Sequence, residues 1–125
     1  MPREAISCQE IAPPVGPFSA AVSAGEFVFL SGQVGQDPLT SKLVAGGASA
    51  QTEQIFKNLR AVLRAAGKSF ADVARVGVYL TDMADFAAMN AVYERHFDRP
   101  YPARTTIAVA ALPLGASVEI DVVAR

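Results

Sequence analysis

Two runs of alternating residues between Tyr101 and Ala124, flanking a Leu112-Pro113-Leu114-Gly115 turn, constrain this chain more than any other stretch. Strand side chains point alternately to opposite faces. In the first run Ile107, Val109 and Ala111 therefore share one face, with Arg104 and Thr106 on the other. In the second, Val118, Ile120 and Val122 form an apolar row opposite Ser117, Glu119 and Asp121. This pattern predicts a β-hairpin with an oily face for a core and an outer face carrying Arg104 and Glu119. A guanidinium grips a carboxylate through two parallel hydrogen bonds, and a carboxylate can orient or deprotonate a water. Alternation alone leaves two readings open: a merely solvated outer face, or a cleft that binds a small acid and adds water to it.

The 125 residues fit a single domain, residues 1–125, long enough to bury a core without staples. Half the residues are hydrophobic (51%), which argues against disorder, yet no apolar run approaches the ~20 residues of a membrane span. The N-terminal MPREAISCQE has no apolar signal core, and the lone Cys8 has no internal disulfide partner, so the cytoplasm is the expected compartment. A net charge of −1 and the absence of a long basic stretch make nucleic acid an unexpected partner. With His96 the only histidine, no His/Cys set suits a metal, and a Ser-His-Asp or Cys-His arrangement would have to use that one residue. No GxxxxGK[ST] or GxGxxG loop is present to cradle phosphates. No cofactor or metal is expected, and the chemistry falls to arginine, carboxylates, hydroxyls, amides and water.

In chain order, a short edge strand is expected near Ala5–Ser7, then a segment stiffened by Pro13, Pro14 and Pro17. Phe18–Ala24 and Glu26–Val34 read as strands, the second with Val28, Leu30 and Val34 opposite Phe27, Phe29, Ser31 and Gln33. Gly32 inside that strand marks a bulge or a close backbone approach. A helix from about Ala48 to Ala66 buries Ile55, Leu59, Val62 and Leu63, leaves Gln51 off that stripe, and ends at Gly67. Val73–Leu80 is a strand with Ala74, Val76, Val78 and Leu80 on one face. A second helix, capped by Thr81 or Asp82, buries Phe86, Met89, Tyr93 and Phe97. Asn90 falls beside that stripe, where its amide either ties down a loop or faces a ligand. The order β-β-β-α-β-α-β-β is α+β, a mixed sheet with both helices on one face. The other face, expected to hold Phe27, Phe29, Tyr79 and Thr106, suits a subunit interface better than water.

Several segments resemble the Rid (YjgF, endoribonuclease L-PSP) family across nearly the whole chain. They are Gly16-Pro17-Phe18-Ser19-x-Ala21, Ser31-Gly32-Gln33-Val34, Asp37-Pro38, Gln54-x3-Asn58-Leu59 and Ala65-Ala66-Gly67. Asp82-x2-Asp85-Phe86-x3-Asn90-x2-Tyr93, Pro102-Ala103-Arg104-Thr105 and Leu112-Pro113-x-Gly115-Ala116-x-Val118-Glu119-Ile120 complete the set. The resemblance implies a chorismate-mutase-like fold and a homotrimer with sites between subunits. It implies hydrolysis of reactive enamines and imines, such as 2-aminoacrylate and 2-iminopropionate, to 2-keto acids and ammonia. By the same resemblance Arg104 grips the substrate carboxylate, Glu119 attends the attacking water, and Phe18, Ser31, Gly32, Asn90 and Thr106 line the pocket. The family often has Tyr where Phe18 stands and Cys where Thr106 stands. The alternatives are a hydrolase acting on a larger imine, a non-catalytic trimer that binds carboxylate metabolites, and ribonuclease activity, against which the acidity weighs.

Overall fold

The structure, a computed structural model, describes residues 2–125. Six strands form one mixed sheet: β1 (Glu4–Ile6), β2 (Ala21–Ala24), β3 (Phe27–Val34), β4 (Val73–Leu80), β5 (Ala103–Ala108) and β6 (Val118–Ala124). They lie in the order β1-β2-β3-β6-β4-β5, and only the β4–β5 pair is parallel. The helices α1 (Gly47–Ala65) and α2 (Phe86–Tyr93) pack against each other, and α1 against β3 and β6, on one face of the sheet.

The apolar periodicity explains the packing. From α1, Ile55, Phe56, Leu59, Val62 and Leu63 are fully buried against Val76, Val78 and Leu80 of β4 and Val118, Ile120 and Val122 of β6. Burying side chains of this size stabilises the fold by roughly 1.5–3 kcal/mol each. The C-terminus of α1 closes as the sequence predicts. Gly67 takes φ 73°, the Lys68 N–H donates to the Leu63 carbonyl at 2.8 Å, and the Gly67 N–H donates to the Arg64 carbonyl. Three polar residues of α1 are buried as well. Gln51 accepts the Ser117 N–H at 2.8 Å, Thr52 donates to the Ala48 carbonyl, and Asn58 donates to the Gln36 carbonyl at 3.0 Å. Gln51 thus lies inside, not off the buried stripe, because it supplies the acceptor that the start of β6 lacks.

The hairpin expected between Tyr101 and Ala124 does not form. β4 lies between β5 and β6, pairing with both. The nine-residue connection from Val109 to Ser117 is long enough to step across the two strand spacings, about 9–10 Å, that this requires. Alternation fixes which residues share a face, but not which neighbour a strand chooses. The more apolar β6, whose Val118, Ile120 and Ala124 are fully buried, takes a central place, and β5 is left at the edge.

The register also corrects the faces. Arg104 pairs with Val76 and Thr106 with Val78, so both side chains lie on the helix-bearing face. Ile107, expected on the core side, is instead 45% exposed on the open face. Glu119 pairs with Tyr79 and alternates with the buried Val118 and Ile120, so it belongs to the open face. Arg104 and Glu119 of one chain therefore leave opposite sides of the sheet. Ala74 is exposed rather than buried because the β4–β6 register shifts between Val73 and Arg75.

Candidate functional site

On the helix face, β5 and α2 together build a socket around Arg104. The Arg104 Nη1 donates to Asn90 Oδ1 at 2.7 Å, and the guanidinium carbon lies 4.6 Å from the Tyr93 ring centre and 5.5 Å from that of Phe86. Phe86, Asn90 and Tyr93 sit at i, i+4 and i+7 of α2, one continuous stripe facing the edge strand. Rings on which a cation rests hold the guanidinium plane without neutralising it. Among the described residues no carboxylate is within ion-pair distance of Arg104. Arg104 lines a hollow of about 410 Å³ together with Asn90, Tyr93, Glu94, Arg99 and Tyr101. Two hydroxyls close by, Tyr93 Oη and Thr106 Oγ1, are buried with no hydrogen-bond partner among the described residues. Burial raises the Tyr93 phenol above its ordinary range, against the charge of Arg104 and the approach of its guanidinium to the hydroxyl, which stops short of a well-formed hydrogen bond. A fixed cation that makes one side-chain hydrogen bond among the described residues, with two buried hydroxyls beside it, suits a small carboxylate bearing further polar atoms.

On the open face, β3 and β6 build a second half around Glu119. The β3–β6 register shifts between Leu30 and Gln33, so the bulge expected at Ser31-Gly32 is present. Gly32 also leaves room for the carboxylate as it stands: a Cβ at this position would lie 2.6 Å from Glu119 Oε2. Glu119 and Gly32 line a cavity of about 250 Å³ together with Phe18, Val34 and Leu114. Burial is the main cause that raises the Glu119 carboxyl above the usual range, and the Asp121 carboxylate beside it pushes the same way. Asp121 in turn accepts the Tyr79 hydroxyl at 3.0 Å. Ser31 is engaged structurally, its hydroxyl donating to the Ser19 carbonyl at 2.6 Å.

The residues expected at one site thus fall into two groups, Arg104 with Asn90 and Thr106, and Glu119 with Phe18 and Gly32. The sheet separates them. Phe86 and Tyr93, the shelf beneath Arg104, were legible only as core positions, although their i−4 and i+3 spacing from Asn90 is the signal that places them beside it. His96 lies apart, stacked on Phe56 at 4.3 Å between ring centres. No group of three or more His, Cys, Asp or Glu among the described residues could hold a metal ion.

The family model for endoribonuclease L-PSP matches residues 9–125. The chain belongs to that family. It is 47% identical over 126 residues to Protein DfrA of Myxococcus xanthus, covering 99% of this chain and 96% of that one. It is 42% identical to the 2-iminobutanoate/2-iminopropanoate deaminase of Mus musculus, covering 98% and 90%. Among solved structures, RidA from an Antarctic Psychrobacter superposes with a TM-score of 0.94 at 43% identity, over 98% of each chain. The six-stranded mixed sheet with its two helices is therefore the fold of the L-PSP family.

Proposed function

We propose that this L-PSP family member hydrolyses small enamines and imines of 2-keto acids, releasing the keto acid and ammonia. The observation that carries the reading is the Arg104 socket: a guanidinium held by Asn90, rested on Tyr93 and making no ion pair among the described residues. The chemistry asks little of a protein. A protonated imine carbon is already electrophilic. Water adds its oxygen to that carbon, the carbon–nitrogen bond of the resulting carbinolamine breaks, ammonia departs with the electron pair, and the oxygen becomes the keto group. Arg104 binds the carboxylate, and Glu119 in its ionised form receives a proton of the attacking water and returns it to the nitrogen, which leaves as ammonia while the hydroxyl proton is released. A carboxylate whose affinity for protons is raised by burial accepts one more readily near neutrality. Holding the partners in register supplies much of the barrier lowering.

Because Arg104 and Glu119 leave opposite faces of the sheet, no substrate of three or four carbons meets both in one chain. The reading therefore includes assembly: Arg104, Asn90 and Thr106 of one copy complete the site with Glu119, Gly32 and Phe18 of another. A homotrimer is the form that fits the family resemblance. Phe27, Phe29 and Ile107, each more than 40% exposed on the open face, support burial of that face against further copies. The test is ammonia release from 2-iminobutanoate generated in place by an amino-acid oxidase. Arg104→Ala hydrolysing it at the parent rate would exclude the assignment.

A further inference from the structure

We propose that the cavity beside Glu119 seats an apolar side chain of the imine, so that imines derived from larger apolar amino acids are preferred, and that Leu114 sets this preference. The inference rests on the deaminase reading for its chemistry and goes beyond it in naming the substrate class and a specificity residue.

Three observations carry it. The cavity is large for a methyl group, about 250 Å³, and its lining is mostly apolar, with Ile11 and Val34 buried beneath and Pro113 at the side, while Gln33, Gln36 and Glu119 supply its polar side chains. Its rim is built from apolar side chains left in water. Val15 is 89% exposed, Leu114 58% and Phe18 53%. The phenylalanine presents only ring carbon to the cavity. Glu119 and Gly32 line the same space, so a substituent on the carbon that water attacks has this cavity next to it.

Leu114 is the most unusual member. It has φ 60°, in the left-handed region that leucine disfavours, and its neighbour Gly115 has φ 68°. A branched side chain is strained in this region, and here the strain is not offset by burial. An asparagine or glycine would hold the same turn without that cost. A strained backbone that places an exposed leucine at the mouth of a cavity containing the reactive carboxylate is explained if the leucine touches what the cavity binds. The carboxylate of the substrate goes to Arg104 and the nitrogen leaves, so the remaining substituent, the side chain, occupies the apolar space.

The experiment compares imines generated in place from alanine, 2-aminobutyrate and leucine, with hydrolysis measured against trapping by semicarbazide. Each methylene that enters an apolar site contributes about fourfold in kcat/KM, so the leucine-derived imine is expected to exceed the alanine-derived one by at least ~10-fold. Leu114→Asn, which keeps the left-handed turn, is expected to lower that ratio about fivefold. Equal kcat/KM for the two imines, or a ratio that Leu114→Asn leaves unchanged, overturns the inference. So does a change in assembled mass in that variant, which would make Leu114 a subunit contact. Thermal stabilisation by the products separates this inference from the deaminase reading. Should no imine be hydrolysed while 4-methyl-2-oxopentanoate stabilises the parent more than pyruvate does, in a Leu114-dependent way, the cavity assignment stands and the catalytic reading fails.

Discussion

Separation of Arg104 and Glu119 by the sheet predicts complementation between inactive subunits. Arg104→Ala removes the proposed carboxylate grip. Two charge-assisted hydrogen bonds at ~1.5–3 kcal/mol each correspond to a loss of at least ~100-fold in kcat/KM. Glu119→Gln keeps the shape but removes the base, with an expected loss of ~10²–10⁴-fold. Each variant alone is therefore nearly silent. When the two are co-expressed under different affinity tags and purified through both, a working site needs Arg104 from a Glu119→Gln chain facing Glu119 from an Arg104→Ala chain. Every doubly purified trimer holds both variants, and one of its three interfaces joins the two intact groups, so about one third of the parental activity per chain returns. The measurement is ammonia release by the doubly purified assembly, set against each variant purified alone. Activity of the mixed assembly no greater than the sum of the two separate preparations would refute the shared-site geometry, since that is the result when both groups serve one chain's own site.

Gly32→Ala should leave the fold nearly intact but displace Glu119, because the new Cβ would meet the movable carboxylate at 2.6 Å rather than backbone. A loss on the order of 100-fold in kcat with a small change in melting temperature is expected, the usual consequence of an ångström-scale misplacement. On the proposed role Glu119 acts in its ionised form, and burial followed by Asp121 holds its pKa up, so kcat/KM should fall on acidification at a pH above that of an ordinary glutamate. Asp121→Asn should move that acid limb to lower pH. His96 is held below its ordinary 6.5 chiefly by burial, with Arg60 and Arg95 acting the same way and Glu53 opposing. The unfolded chain therefore binds more protons between the folded pKa and 6.5, so this part of the stability is complete above 6.5 and lost as pH falls through that window. His96→Phe, which keeps the stack on Phe56, should flatten the acid side of a melting-temperature profile.

Much of this fold follows from local chemistry, and particular residues show where local chemistry stops. The buried stripe of α1, the Gly67 cap, the bounds of β4 and the bulge at Gly32 depend on periodicity and backbone freedom within a few residues, and all are as expected. The position of β6 depends on competition among distant strands. Its nearest partner in sequence, β5, lost to β3 and β4, and the alternation of Arg104 with Ile107 reads the same in either arrangement. Gln51 departs from the helical-wheel pattern for a related reason. Its burial reflects one long-range bond to Ser117, which no helical wheel contains. Arg104, Glu119, Asn90 and Gly32 could be singled out, but their division between two faces emerges only from the register.

With its two reactive groups aimed into different volumes of solvent, a newly made chain is chemically inert on the shared-site reading, however well it folds. Turnover then begins with encounter and scales with a higher power of protein concentration than the first until association saturates. A dilute sample would fall silent while its circular dichroism stayed that of the native protein.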